Sequence, residues 1–426
     1  MSVALTGLNP VRHVLGNGVR VIAKSAPVTP AVTIQITVHA GTAADPPGLP
    51  GLAYFLSRMI DRGTTTLTAD VIAEALEGRG VSLATSVTRH ALSLMATCLV
   101  EDFPAVLRIM ADCVMNPVFA ESEIRTRRGE MITFIRQDED NPASVAMNGL
   151  MGLLYGAGHP YGRPPRGTLA GAERIDREAL LGFHAREVVP ASLVVTMVGD
   201  VEPRAAVATS AEAFEGWRRS PPSIDNDLAD PPRPVGRRRH VVPMMNKSQT
   251  DIAYGLTSIR RSDPDYYACW LMNNVLGEYS LGGRLGDTIR ERQGMAYYVV
   301  SSLDANVIPG PLAIRAGVSA ANVERAIAAI DHEVEMLAKD GPTEKELRES
   351  KQYLIGSLPR TLETNSSIAG FLQAVEFFGL GLDYDVRLPA LLEAVSRDDV
   401  HAAARRLLNP SHAAVVIAGP YDATAA

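Results

Sequence analysis

Apolar positions along the chain follow two periods. In GLAYFLSRMIDRGT, Leu52, Phe55, Leu56, Met59 and Ile60 recur at the i, i+3, i+4, i+7, i+8 spacing of a helix with one buried stripe. Tyr54, Ser57, Arg58 and Asp61 are assigned to its opposite, polar face. A helix is predicted over 121–140, stopped by Asn141-Pro142. Val323, Ala326, Ile327, Ile330, Val334 and Leu337 mark another, and TEKE from Thr343 to Glu346 is a capping box opening a third. A further helix follows Thr68 and ends before Gly80. The strand period appears in VRVIA after the Asn17-Gly18 turn, in AVTIQITVHA, and as a hairpin pair across VSLATSVTRHALSLMATCLV. Hairpins interleaved with helices predict an α+β layer, one sheet carrying helices on one face.

The pattern occurs twice. REALLGFHAREVVPASLVVTMVGD, from Arg177, and RDDVHAAARRLLNPSHAAVVIAGP, from Arg397, each run from an amphipathic helix through a Pro-containing turn to an apolar strand closed by glycine. Three landmarks keep one ungapped offset: Arg177 and Arg397, Pro190 and Pro410, Gly199 and Gly419. A duplicated fold follows from that agreement. The Pro- and Arg-rich stretch 218–240 has neither period and reads as a linker. It divides the chain into an N-terminal domain, 1–217, and a homologous C-terminal domain, 241–426.

Composition narrows the function classes. A hydrophobic content of 46% in 426 residues supports sizeable cores. A net charge of −7 opposes the basic footprint that nucleic-acid binding needs. Cys98, Cys113 and Cys269 form no C-x-x-C, so neither a disulfide framework nor a cysteine metal site is expected. No apolar run is long enough for a membrane span. The start, MSVALTGLNPVRHV, lacks the features of a signal peptide. A cytoplasmic location is expected, with a periplasmic one open if an export signal was removed. No P-loop and no strand-linked G-x-G-x-x-G supports nucleotide binding.

Five segments together resemble the pitrilysin-type metallopeptidases, the inverzincins, which include mitochondrial processing peptidase, insulysin and bacterial relatives. They are NGVRVIAK (17–24), DPPGLPGLAYFLSRMIDRGT (45–64), EDNPASVAMNGLMGLLYGAGHPYGRPPRGT (139–168), VVPMMNKSQTDIAYG (241–255) and GGRLGDTIRERQGMAYYVVSS (282–302). The resemblance spans most of the chain. It implies two homologous α+β domains, each a mainly antiparallel sheet with helices on one face, forming half of a clam-shaped chamber. It also exposes a departure. Active members carry H-x-x-E-H in the second of these segments and draw a third ligand, a Glu, from a later helix. Here the two His positions match Tyr54 and Arg58, the general-base Glu position matches Ser57, and the third ligand falls at Thr133 or Phe134, of which we assign Phe134. A catalytic zinc needs three donors drawn from Cys, His, Asp and Glu. These residues supply none, and Arg58 adds a fixed positive charge. No two of the nine histidines stand four residues apart. No metal is expected in this chain.

The resemblance carries a second motif. In that family an Arg and a Tyr of the C-terminal domain, spaced R-x6-Y, reach the zinc site of the facing domain. They match Arg290 and Tyr297 in RERQGMAY, where Gln293-Gly294 ends a helix and a strand begins. A Tyr hydroxyl can donate to the oxyanion that peptide hydrolysis creates, and an Arg fork can hold backbone carbonyls. Spacing alone reads Arg290 as a helix-terminal cation and Tyr297 as a half-buried sheet residue. Tyr298 takes Tyr297's place if the strand slips by one. Gly282 and Gly283, in LGEYSLGGRLG, match a substrate-touching glycine-rich loop of the zinc-less processing-peptidase subunit; a plain flexible turn is the alternative.

The resemblance thus implies the non-metal subunit of a heterodimeric zinc metalloendopeptidase acting on small unfolded peptides. Its partner is a homologous subunit with an intact H-x-x-E-H, which brings the zinc, and the peptide lies as an added strand on a sheet edge. Two alternatives stand beside it. One is a catalytically inert structural or peptide-binding member, core-subunit-like or homodimeric. The other is a peptidase subunit dedicated to one peptide, such as a cofactor precursor. Nucleic acid and membrane are not expected partners.

Overall fold

The computed structural model describes residues 7–219, 228–232, 236–278 and 282–422. Its first sheet comprises β1 (Val11–Val14), β2 (Arg20–Ser25), β3 (Ala31–Val38), β4 (Ala84–Val87), β5 (Leu92–Leu99) and β6 (Leu193–Gly199), in the order β1-β2-β6-β3-β5-β4. The second comprises β7 (Arg238–Pro243), β8 (Thr250–Thr257), β9 (Ala296–Leu303), β10 (Pro311–Val318) and β11 (Ala414–Gly419), in the order β7-β11-β8-β10-β9. Each sheet is antiparallel except for one pair, β2 with β6 and β7 with β11. Strand for strand, β2-β6-β3-β5-β4 repeats as β7-β11-β8-β10-β9; β1 is the addition.

The sequence repeat is therefore a repeat of structure. Helices Arg177–Glu187 and Arg397–Leu407 each lead through a single 3-10 turn, Pro190–Ser192 and Pro410–His412, into β6 and β11. Both strands end on a glycine at φ +145. A side chain could not fit there: a Cβ on Gly199 would fall 2.1 Å from the Ala31 carbonyl oxygen, and one on Gly419 2.7 Å from that of Gln249. The TEKE box closes as expected, with Thr343 N donating to Glu346 Oε2 at 2.7 Å and Glu346 N to Thr343 Oγ1 at 3.2 Å.

The described residues form two compact units. The first draws on Met1–Ile135, Pro164–Asn226 and Leu358–Val386, the second on Arg136–Arg163, Asp227–Ser357 and Arg387–Ala426. Of the stretch expected as a linker, residues 220–227 and 233–235 lie outside those described.

Each unit takes one helix from the far half of the sequence, because each sheet is apolar on both faces. In the first unit, Val21, Ala23, Val195 and Met197 point into the main helical core. The alternate residues Ile22, Val194 and Val198 point the other way, onto Ile368, Ala369 and Leu372 of helix Asn365–Phe377. In the second unit, Ala253, Val416 and Ala418 meet Ala146, Leu150 and Leu154 of helix Pro142–Tyr155. That helix lies close: a Cβ on Gly255 would fall 2.8 Å from the Leu150 methyls. So, beyond the helical layer expected on one face, each sheet carries a helix on the other. Each large side chain buried this way contributes about 1.5–3 kcal/mol.

Buried His184 ties helix Arg177–Glu187 to its surroundings. Its Nε2 stands 2.7 Å from the Val114 carbonyl oxygen, and Arg219 Nη1 lies 3.2 Å from its Nδ1. Arginine only donates, so Nδ1 accepts, Nε2 donates and the ring is neutral. Burial, with Arg219 nearby, pushes its pKa down to about 4, against the bond to Val114.

Two predictions follow from this packing. Leu372→Ala and Leu150→Ala each lower stability by about 2–5 kcal/mol in urea denaturation, as buried leucines do. A result below about 1 kcal/mol for both means the second-face helices are not structural. For His184, the unfolded ring binds protons below pH 6.5 while the folded ring resists until about 4. Its contribution is whole above pH 6.5 and is lost as pH falls through 4, by up to about 3 kcal/mol. The urea midpoint falls across that window, and His184→Gln flattens the fall.

Candidate functional site

The motif helix, Leu52–Met59, is fixed at its start. Buried Asp45 accepts from Gly51 N and Ala53 N, both at 2.7 Å, giving the helix N-terminus a carboxylate. Gly51, at φ +94, lies against the turn before Gly167, at φ +79. A Cβ on Gly51 would fall 2.6 Å from the Arg166 carbonyl oxygen, and one on Gly167 2.1 Å from that of Pro50. Backbone thus rests on backbone, and the contact sets where Arg166 stands.

On the helix, Leu52, Phe55, Leu56 and Met59 are buried as expected. Ser57 departs from expectation. It is 2% exposed, not on a polar face, and its hydroxyl donates to the Tyr54 carbonyl at 2.7 Å. A buried hydroxyl must find an acceptor, and the helix's own backbone is nearest. Tyr54 and Arg58 are half-buried. Arg58 Nε is buried with no hydrogen-bond partner among the described residues. Burial pushes the Asp61 carboxyl above the usual range, although Arg62, at 3.1 Å, and Arg58 act to hold it down.

Helix Glu121–Glu139 supplies the third position. Thr133 spends its hydroxyl on the Gly129 carbonyl at 2.9 Å. Phe134, 36% exposed, shares a neighbour with Tyr54: the Arg166 guanidinium carbon lies 5.8 Å from each ring centroid, within cation–π range. The structure thus brings Tyr54 and Phe134 around one cation. Arg166, within RPPRGT, is not singled out by the sequence pattern. The signal available was its place in a Pro-Pro-Arg-Gly turn. Phenol, guanidinium and phenyl groups do not fit zinc. Among the described residues, no three His, Cys, Asp or Glu side chains are grouped to hold a metal ion.

Arg290 and Tyr297 belong to the second unit. Arg290 sits in the last turn of the π-type helix Gly286–Arg292, exposed, with Nε 3.8 Å from Glu291 Oε1. Gly294, at φ +59, breaks the helix, and its N–H caps the Arg290 carbonyl at 3.0 Å. Strand β9 then begins, at the edge of its sheet. The adjacent tyrosines differ. Tyr297 is 80% exposed. Tyr298 donates to Asp251 Oδ1 at 2.5 Å, and burial together with that carboxylate pushes its pKa upward. Gly283 is buried against Gly277, whose Cα would lie 2.8 Å from a Cβ there; Gly282 is exposed. Residues 279–281 of that loop lie outside those described.

Comparison with known proteins is consistent along most of the chain. Residues 20–159 match the model of insulinase, peptidase family M16, and residues 174–354 that of the peptidase M16 inactive domain. An uncharacterized zinc protease of Mycobacterium leprae is 28% identical over 96% of this chain and 92% of its own length. One from Bacillus subtilis is 25% identical over 95% of this chain and 97% of its own. A solved structure described as a peptidase M16 inactive domain from Pseudomonas fluorescens superposes with a TM-score of 0.89 at 26% identity, covering 97% of this chain and 98% of that one. A protease from Helicobacter pylori shares the fold, with a TM-score of 0.88 at 17% identity over 96% of this chain and 99% of its own.

The two tyrosines give a stability contrast. Tyr298→Phe removes the shortest hydrogen bond to a buried carboxylate, leaving Asp251 with Gln249 Nε2 at 3.4 and 3.5 Å, and costs about 1–3 kcal/mol in urea denaturation, whereas Tyr297→Phe stays within about 0.5 kcal/mol. Equal losses would contradict the assignment of Tyr298 as the structural tyrosine.

Proposed function

The chain belongs to peptidase family M16, and from that membership we propose that it is the metal-free half of a two-chain peptidase, lending Arg290 and Tyr297 to a zinc site on a homologous partner. The observation that carries the reading is Tyr297, a large aromatic 80% exposed at the start of an edge strand, while its neighbour Tyr298 is hydrogen-bonded to a buried carboxylate. A single exposed aromatic is ordinary on a protein surface; what supports a role on substrate is that this one stands at the R-x6-Y position after Arg290, on an edge strand where a peptide can add.

The partner supplies an intact H-x-x-E-H, the metal and the activated water. This chain's own groups act on the peptide. The Tyr297 hydroxyl donates a hydrogen bond to the scissile carbonyl oxygen, which gains strength as that oxygen becomes an oxyanion. The Arg290 guanidinium binds neighbouring backbone carbonyls and adds positive potential where negative charge develops. The substrate is a small unfolded peptide, read through its backbone as an extended strand. Gly282, exposed beside the helix, is a candidate contact for it.

A second reading, an inert structural or peptide-holding member, draws support from the words "inactive domain" attached to the Pseudomonas fluorescens structure. One assay separates the two. A quenched unstructured peptide is given to this chain, to a zinc-bearing family member from the same genome, and to the mixture. Only the mixture cleaves efficiently, and Tyr297→Phe slows it by about 10²–10³ with the complex intact, the usual loss of an oxyanion donor. Arg290→Ala slows it by more than about tenfold. A mixture no faster than the zinc-bearing chain alone, or substitutions without effect, establishes the inert reading.

A further inference from the structure

We infer that Arg166 occupies the position from which the zinc was lost, so that the site keeps its positive charge and excludes metal even where ligands are restored. This rests on the reading of Tyr54, Arg58 and Phe134 as former ligand positions. Any ion bound by residues 54 and 134 together must lie in the space both side chains face. That space holds the Arg166 guanidinium, 5.8 Å from each ring centroid.

Three features keep it there. The first is the backbone. Gly51 and Gly167 permit contact so close that a Cβ on either would collide with the other segment, so the Arg166 main chain is fixed on the N-terminus of the motif helix. The second is the pair of rings, whose π faces favour a cation. The third is Asp45, whose two hydrogen bonds, from Gly51 N and Ala53 N, anchor that helix end. Arg58, one helical turn beyond Tyr54, adds a second guanidinium, and its buried Nε has no hydrogen-bond partner among the described residues. A divalent ion would have to approach both positive charges in a partly desolvated place, where repulsion is weakly screened. Loss of the ligands and gain of the cation are then one change. With zinc gone, an uncompensated site would lose the potential that attracts peptide carbonyl oxygens, and Arg166 restores it without chemistry.

The test restores the ligands with and without the arginine. Variant one carries Tyr54→His, Ser57→Glu, Arg58→His and Phe134→Glu. Variant two adds Arg166→Met, which keeps the length and removes the charge. Both are loaded with zinc, dialysed and assayed by plasma mass spectrometry, with circular dichroism as a folding control. The expected result is about one zinc per chain in variant two and less than about a tenth of that in variant one. Equal zinc in both overturns the role of Arg166. Zinc in neither overturns the assignment of the ligand positions, and the inference with it; the two-chain peptidase reading is tested separately by the mixing assay. If a multiple variant fails to fold, the pair Tyr54→His and Arg58→His serves instead, since two histidines four apart on a helix bind cobalt(II) weakly. Cobalt then binds about tenfold or more tighter with Arg166→Met than without it, and equal affinity overturns the inference.

Discussion

Burial of both faces of each sheet is the constraint on which the rest of this structure depends. β6 and β11 are buried at every residue, so neither sheet can leave one side to water. One helical layer covers one side. The other side is covered by a single helix from the opposite half of the sequence, Asn365–Phe377 in the first unit and Pro142–Tyr155 in the second. Duplication thus produced two sheets that are each incomplete in their own half of the sequence. The stability of either unit is a property of the whole chain.

The motif helix is part of the first of these units. It is held by Asp45 at its N-terminus, by a backbone contact through Gly51 and Gly167, and by its buried apolar side chains. None of these is a metal ligand. The positions matched to the family's metal motif hold an aromatic ring, a buried serine turned onto its own helix, and an arginine. In the second unit the corresponding freedom was not used for packing: Tyr297 remains in solvent although Tyr298 shows how readily a neighbouring position finds a buried partner.

Much of the fold was legible in the sequence because it was written twice. The landmarks at Pro190 and Pro410, and at Gly199 and Gly419, survive as the same 3-10 turn and the same strand end. The hairpin of β4 and β5 and the capping box at Thr343 and Glu346 also follow from local pattern. The swapped placement of helices 142–155 and 365–377 does not, since an apolar helix face specifies burial without specifying which sheet it covers. Ser57 was misplaced because a serine at polar spacing can satisfy itself on the preceding turn and go inside. The site was less legible than the fold. Tyr54, Arg58 and Phe134 could be named from the family pattern, but the cation between two of them comes from a turn more than a hundred residues away in sequence from Tyr54. The one local signal at Arg166, its Pro-Pro-Arg-Gly turn, places it in a loop without saying what it faces.

The measurement that bears most directly on this account is native mass spectrometry of the chain, first alone and then mixed with a zinc-bearing family member from the same genome. Mass reports who pairs with whom, and the metal increment reports who holds the zinc. The account predicts a metal-free chain alone and, on mixing, a one-to-one assembly carrying a single zinc that belongs to the partner. A zinc ion retained by this chain alone, or a metal-free homodimer that ignores the partner, would contradict it.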